Sequence, residues 1–442
     1  MTGISRRTDG AGLSRRGFLA AAGALGGAAL AGCGSAEPQV ATGPALQDEY
    51  TGEPVTLRYW HGFTGGDGPA MQALVDRFNE SQDRITVEPN TIQWNQYYQR
   101  VIAAVHAGKG PDVGTLQIDQ LANLAARQTI NPLDEVVTQL GLQESEFPQE
   151  VWRNGVYRGS RYGVPLDVHS LASYGNRAVL QQAGLERQPR TGEELEEQTR
   201  ALLAAGVETP FWMPNRWPAH LIFLSLLWQF GGEPYAEDGS RATFDSDAGV
   251  QALTWMRRQV DAGISPPDVA QDSQYVGFKN GQGAYTWDGI WQINDLQSTD
   301  LDWDIAPVPQ VGDQPASWAS SHHLVLFRQR DPDDDKLLAG KAFMRYLLEA
   351  SSEWTAAGMI PALASARETP EFQESPQAAL ADAVPTLRFL PPVPGLGDVQ
   401  VQTLEIAVSN AVLGREQPAA ALSGAAARAT EQMQANQQKF EV

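Results

Sequence analysis

Val55-Thr56-Leu57-Arg58-Tyr59-Trp60 opens the structured part of the chain. Apolar and polar residues alternate along it, as in a strand with one buried face. Residues 69–80 then place Met71, Leu74, Val75 and Phe78 at helical spacing. Ile85-Thr86-Val87 reads as a second strand. Tyr97, Val101, Ile102 and Val105 mark a second helix, stopped by Gly108-Lys109-Gly110-Pro111. Asp112-Val113-Gly114-Thr115-Leu116 reads as a third, buried strand. This βαβαβ order implies a mostly parallel sheet with helices on both faces. In such sheets ligands sit beyond the carboxyl ends of the strands.

Gly163-Val164-Pro165-Leu166-Asp167-Val168-His169 leads into a second α/β region, from about Ser170 to Pro309. Helical patterns lie at Thr191–Leu203, Ala219–Phe230 and Ala248–Ala262, and Ile305–Val308 closes the region as a strand. His323–Phe327 is again a strand, and Lys336–Glu349 a helix. Leu390-Pro391-Pro392-Val393-Pro394-Gly395 breaks the last third, before an Ala/Gln-rich helix from about Pro418 to Lys439. There is no internal repeat.

Ahead of all this stands Ser14-Arg15-Arg16-Gly17-Phe18-Leu19, then an Ala/Gly/Leu run ending in Leu30-Ala31-Gly32-Cys33. Charged residues, a short apolar run and small residues make an export signal. The adjacent Arg15 and Arg16 match the twin-arginine variety. The Leu-Ala-Gly-Cys ending matches a lipobox, with cleavage before Cys33 and lipid on that cysteine. The apolar run is shorter than the roughly 20 residues that span a bilayer. Residues 1–32 are thus expected to be the export signal, and 33–53 a lipidated, flexible tether.

The chain has 442 residues, which is too long for one core and points to two lobes. Cys33 is its one cysteine, so no intramolecular disulfide forms. The formal charge is −21, and removal of the arginine-rich signal leaves the remainder more acidic still. Such a balance argues against nucleic acid and anionic lipid surfaces as partners.

Several short segments carry a family resemblance. They are the strand ending Tyr59-Trp60, Ala107-Gly108-Lys109-Gly110-Pro111-Asp112-Val113, Tyr162-Gly163-Val164-Pro165, Tyr174-Gly175-Asn176-Arg177 and Ala183-Gly184-Leu185. Gln229-Phe230-Gly231-Gly232, Phe278-Lys279-Asn280-Gly281-Gln282-Gly283-Ala284, Gly289-Ile290-Trp291 and Gly358-Met359-Ile360-Pro361-Ala362 continue the series. In this order, the chain resembles the family 1 extracellular solute-binding proteins of ABC transporters, the maltose-binding-protein-like group. It departs at Thr191-Gly192-Glu193-Glu194, where Thr-Trp-Glu-Glu is usual, and at Tyr174-Gly175-Asn176.

The resemblance implies an α/β, two-lobe periplasmic-binding-protein fold of type II, each lobe a mostly parallel sheet flanked by helices. Lobe 1 would comprise 54–166 plus about 318–365, and lobe 2 would comprise 167–317 plus about 366–442. A hinge of several segments would cross near Asp167–His169, near Gln310–Ser317 and after Pro361. The implied function is that of a monomeric, lipid-anchored receptor on the outer face of the cytoplasmic membrane. It would close on a carbohydrate, or on another solute such as a polyol or glycerophosphodiester, and deliver it to ABC permease subunits.

A sugar has polar edges and apolar C–H faces, so its site needs aromatic platforms and paired hydrogen-bonding groups. The chain has 12 tryptophans, several on loops. Trp291 matches the family's stacking tryptophan, and Trp217, in Pro214-Asn215-Arg216-Trp217-Pro218, is a second platform. Trp287 and Trp318 are further candidates. Among polar residues, Gln117 and Asp119 follow the third strand, and Asp288 neighbours Trp291. His169 sits at the first crossing and matches a ligand-contacting position of the family. Thr64 lies on a Gly-rich first βα loop, and Arg388 precedes the Pro-rich segment. His322 and His323 are adjacent, so at most one is expected to face the cleft.

An exported hydrolase is the rival class. There is no Gly-x-Ser-x-Gly elbow, and the one cysteine is assigned to lipid. No H-E-x-x-H zinc pattern occurs, and Asp331–Asp335 lacks calcium-loop spacing and reads as a turn with helix-capping acids. Carboxylates are numerous enough that counting alone does not dismiss a glycosidase pair. No cofactor or metal is expected.

Overall fold

The structure is a computed structural model, and it describes residues 44–47 and 49–440. The export motif with Arg15 and Arg16, and Cys33, lie outside the described residues.

The first region forms as its periodicity implies. Strand β1 (Val55–His61) buries Leu57, Tyr59 and His61 on one face. Helix α1 (Asp67–Ser81) buries Met71, Leu74, Val75 and Phe78. Strand β2 (Ile85–Thr91) pairs parallel to β1. Helix α2 (Trp94–His106) buries Tyr97, Val101 and Val105. Strand β3 (Val113–Gln117) pairs parallel to β1 on its other side and runs directly into helix α3 (Ile118–Ala126). Each fully buried Leu, Val or Phe in these elements stabilises the fold by about 1.5–3 kcal/mol relative to exposure.

A hairpin of β4 (Val156–Tyr157) and β5 (Ser160–Arg161) precedes β6 (Val164–Pro165). Strand β7 (Asp167–Asn176) follows and is buried along all ten residues, because strands cover both its edges. Further along come β8 (Tyr285–Gly289), β9 (Trp303–Ala306), β10 (Ser317–Ser320), β11 (His322–Leu326), β12 (Ile360–Pro361) and β13 (Leu387–Arg388). They sort into a first sheet of order β2-β1-β3-β11-β6 and a second of order β12-β7-β10-β13, with β8 and β9 also paired to β7.

Strand direction corrects one expectation. The β2-β1-β3 part of the first sheet is parallel, but β11 pairs antiparallel to β3 and to β6. In the second sheet only β10 and β13 are parallel, and every pairing of β7 is antiparallel. The reason is the crossing. β7 carries the chain out of the first sheet while β10 brings it back, and segments running opposite ways pair antiparallel without a crossover helix. The passages between sheets fall at Leu166, at Ser321 and ahead of Ile360. The second passage is therefore later than Gln310–Ser317, because Ser317–Ser320 still belongs to the buried second sheet. The third precedes Pro361, which is itself a partner of Asp167 in that sheet.

Helices complete the layers. Ala219–Gln229 is buried on every side, as its unbroken apolar content requires. Asp247–Asp261 packs beside it, and the terminal Pro418–Phe440 packs in turn on Asp247–Asp261. Asp333 caps Asp334–Glu349 by accepting the Lys336 N–H at 3.1 Å, which assigns the acidic run its expected capping role. Among the described residues, no helix is long and apolar enough to cross a membrane.

Candidate functional site

Asp167, His169, His322 and Trp354 converge where the chain passes between the sheets. The Asp167 carboxylate is fully buried and accepts four hydrogen bonds. They come from His322 N–H at 3.0 Å, His322 Nδ1 at 2.8 Å, His169 Nδ1 at 3.2 Å and Trp354 Nε1 at 2.8 Å. Burial alone would push this acid up. The neighbouring His322, together with the hydrogen bonds from His169 and His322, outweighs burial and holds it below the usual carboxylate range. Burial, then His322, lowers the basicity of His169. Among the described residues, Asp167, His169 and His322 are the one set whose donor atoms gather closely enough to suggest a metal ion. Their mutual hydrogen bonds already satisfy the carboxylate, so the arrangement does not call for an ion.

Around these histidines runs a continuous aromatic wall. On the first-sheet side, Trp94 stacks on Tyr98 at 5.9 Å between ring centres and on His322 at 5.5 Å. His322 stacks on His169 at 4.3 Å. On the second-sheet side, His169 meets Trp318 at 6.0 Å and Trp291 at 6.1 Å, and Trp291 meets Trp217 at 5.7 Å. Trp94, Tyr98, Trp217 and Trp291 are only partly buried. Gly289 permits the position of Trp291, since a Cβ there would overlap the indole.

Of the residues selected from sequence, the structure brings Trp291, Trp217, Trp318 and His169 together in this wall. Gln117 joins it from the end of β3, where the Tyr98 hydroxyl donates to its Oε1 at 3.1 Å. Asp119 lies in the first turn of α3, partly buried and near His169. It is not the helix cap, a place taken by Gln117. Burial raises Asp119 to about 6. Asp119 also approaches Gly397, at the start of helix Leu396–Gln400, which packs against α3. Thr64 is exposed on the loop after β1.

Three selected residues have other surroundings. Trp287 is fully buried and stacks on Trp255 at 5.7 Å with Phe211 at 4.8 Å. It is a core residue and not a ligand platform, because it lies inside β8 while Trp291 lies beyond that strand's end. Asp288 is also sealed, accepting from Gln274 Nε2 at 3.0 Å and from the Gly289 N–H at 2.7 Å, and burial raises it to about 6. Arg388 pairs with Glu233 at 2.7 Å on the surface. Sequence reasoning missed Trp94 and Tyr98. Their aromatic character at the start of a helix, one loop after a strand's carboxyl end, was the available signal.

Residues 64–354, well over half of the chain, match the family profile of the bacterial extracellular solute-binding proteins. The chain belongs to that family.

Its relatives fit the assignment. A binding protein of Brucella abortus (strain 2308) is 21% identical over 387 residues, covering 83% of this chain and 90% of its own. The sn-glycerol-3-phosphate-binding periplasmic protein UgpB of Salmonella paratyphi A is 30% identical over 184 residues, which is 38% of this chain and 41% of UgpB. The GacH receptor of Streptomyces glaucescens GLA.O, solved unliganded and with acarbose, superposes with a TM-score of 0.76 at 21% identity, covering 88% of this chain and 99% of GacH. This solute-binding protein therefore has the two-lobe fold of the periplasmic sugar-binding proteins, and its role is to bind a solute.

Proposed function

We propose that this protein is the substrate-binding lipoprotein of an ABC importer, which captures a carbohydrate between its lobes and presents it to the permease. The observation that carries the reading is the wall Tyr98–Trp94–His322–His169–Trp318–Trp291–Trp217, contributed from both sides of the hinge. Aromatic faces suit the C–H faces of a sugar ring, while Asp119 and Gln117 suit its hydroxyls. A ligand that touches both lobes binds the closed state better than the open one and shifts the population toward it. The Arg15-Arg16 signal and Cys33 support export and anchoring at the outer face of the membrane.

The test is a thermal-shift screen of the purified protein against mono-, di- and oligosaccharides, polyols and glycerophosphodiesters. A rise in the unfolding midpoint with one carbohydrate class, and no cleavage products after incubation, is the expected result. A rise with a non-sugar solute alone would discard the carbohydrate assignment. Cleaved products would make the protein an enzyme.

A further inference from the structure

We propose that the cleft takes a hydroxyl- or amine-bearing carbohydrate without any anionic group, and excludes phosphorylated and carboxylated solutes. The inference rests on the carbohydrate reading above and assigns the charge class of the ligand.

The hydrogen-bonding roles at the hinge lead to it. A carboxylate can only accept, so Asp167 forces both His169 Nδ1 and His322 Nδ1 to be donors. In a neutral imidazole the other nitrogen then carries a bare lone pair. Neither Nε2 has a partner among the described residues, and neither is among the unpartnered atoms sealed from solvent, as both ring nitrogens of His323 are. Burial lowers the basicity of His169, so its Nε2 is presented as an acceptor in the middle of the aromatic wall.

The flanking side chains add more acceptors. Asp67, in the first turn of α1, is 5% exposed, and Asp119 is partly buried at the start of α3. Both lie close enough to His169 to interact with it electrostatically, and burial raises each to about 6. Burial prevails over the hydrogen bonds they accept, from the Gly65 N–H at 2.9 Å to Asp67 and from Gln120 Nε2 at 3.4 Å to Asp119. Arg216, which precedes Trp217, and Arg388, in register with Trp318, are engaged elsewhere. Arg216 donates to Asp268 at 3.1 Å and to the Val269 carbonyl at 3.1 Å, and Arg388 is held by Glu233.

Hydroxyl and ammonium groups satisfy such a set of acceptors. A phosphate or carboxylate would bring charge and lone pairs to carboxylates and to the bare His169 nitrogen, leaving buried acceptors unpaired. Asp67 and Asp119, each raised by burial to about 6, take up protons and lose their charge in acid, so exclusion of anions relaxes there. The groups facing these two rings are Asp167, Asp67, Asp119, His61 and, behind the wall, His323.

The experiment is calorimetric titration of the full chain at pH 8.0 and pH 5.5. The probes are maltotriose, chitobiose, glucose and glucosamine, set against glucose 6-phosphate, glucuronate and sn-glycerol 3-phosphate. Every binder at pH 8.0 is expected in the uncharged or basic set, with at least about tenfold preference over its anionic counterpart. The preference should narrow at pH 5.5, and Asp119→Asn should narrow it at pH 8.0. Equal affinity for glucose and glucose 6-phosphate at pH 8.0 would overturn this inference alone. Binding of sn-glycerol 3-phosphate and of no carbohydrate would overturn both this inference and the carbohydrate reading.

Discussion

The Asp167 carboxylate lies 2.8 Å from His322 Nδ1, although 155 positions separate the two in the chain. Trp354, 187 positions from Asp167, donates to the same carboxylate. One buried acid thus ties the three segments that link the sheets. Hinge closure needs segments that bend together, and this shared acceptor supplies that coupling.

Asp167→Ala leaves the Trp354 indole N–H, the His322 N–H and two imidazoles without their acceptor. Removing one partner from a buried charged network costs about 3–5 kcal/mol. Urea unfolding should show a loss of that size, with an unchanged slope. A midpoint equal to wild type would mean that the hinge does not depend on this carboxylate.

Trp287 and Trp291 should behave oppositely. Trp287→Ala opens a cavity among Phe211, Trp255 and their neighbours and should cost about 3–5 kcal/mol. Trp291→Ala removes a partly buried platform, so the unfolding midpoint should fall little while ligand affinity falls at least about tenfold. Gly289→Ala should weaken binding in the same direction by displacing the Trp291 ring. A large fall in midpoint for Trp291→Ala would make it a core residue.

His220 provides a pH test away from the cleft. It is buried in helix Ala219–Gln229, its Nδ1 has no hydrogen-bond partner, and burial lowers it to about 3. In the unfolded chain it titrates near 6.5. The folded value is the lower one, so the stability linked to its neutral form is complete above about pH 6.5 and is lost as pH falls toward 3. His220→Leu should therefore gain about 2 kcal/mol relative to wild type between pH 8 and pH 5. Parallel stability curves for the two proteins would contradict this.

Much of the architecture was readable because helix and strand periods are local. Met71, Leu74, Val75 and Phe78 announced α1, and Leu57 and Tyr59 announced the buried face of β1. The antiparallel second sheet was not readable, since direction depends on which crossing segments meet β7. The site divided in the same way. Trp291 and Trp217 stand on loops, and their aromatic surface needed a function. Trp287 shares a strand face with Tyr285, two residues earlier, and that alternation was the sign of a core position. Trp94, Tyr98 and His322 join the wall through tertiary packing, and the aromatic start of α2 was the one local sign of it. His322 was further obscured by His323, because which of two adjacent residues faces the cleft is set by strand register.

Ligand contact from both lobes is the central claim, and tryptophan fluorescence titration tests it most directly. Wild type, Trp94→Ala and Trp291→Ala would each be titrated with the carbohydrate that gives the largest thermal shift. A saturable signal in wild type, with affinity at least about tenfold weaker in each variant, is the expected result, because the two residues stand on opposite sides of the hinge. Wild-type affinity in both variants would contradict the account and move the ligand away from this wall.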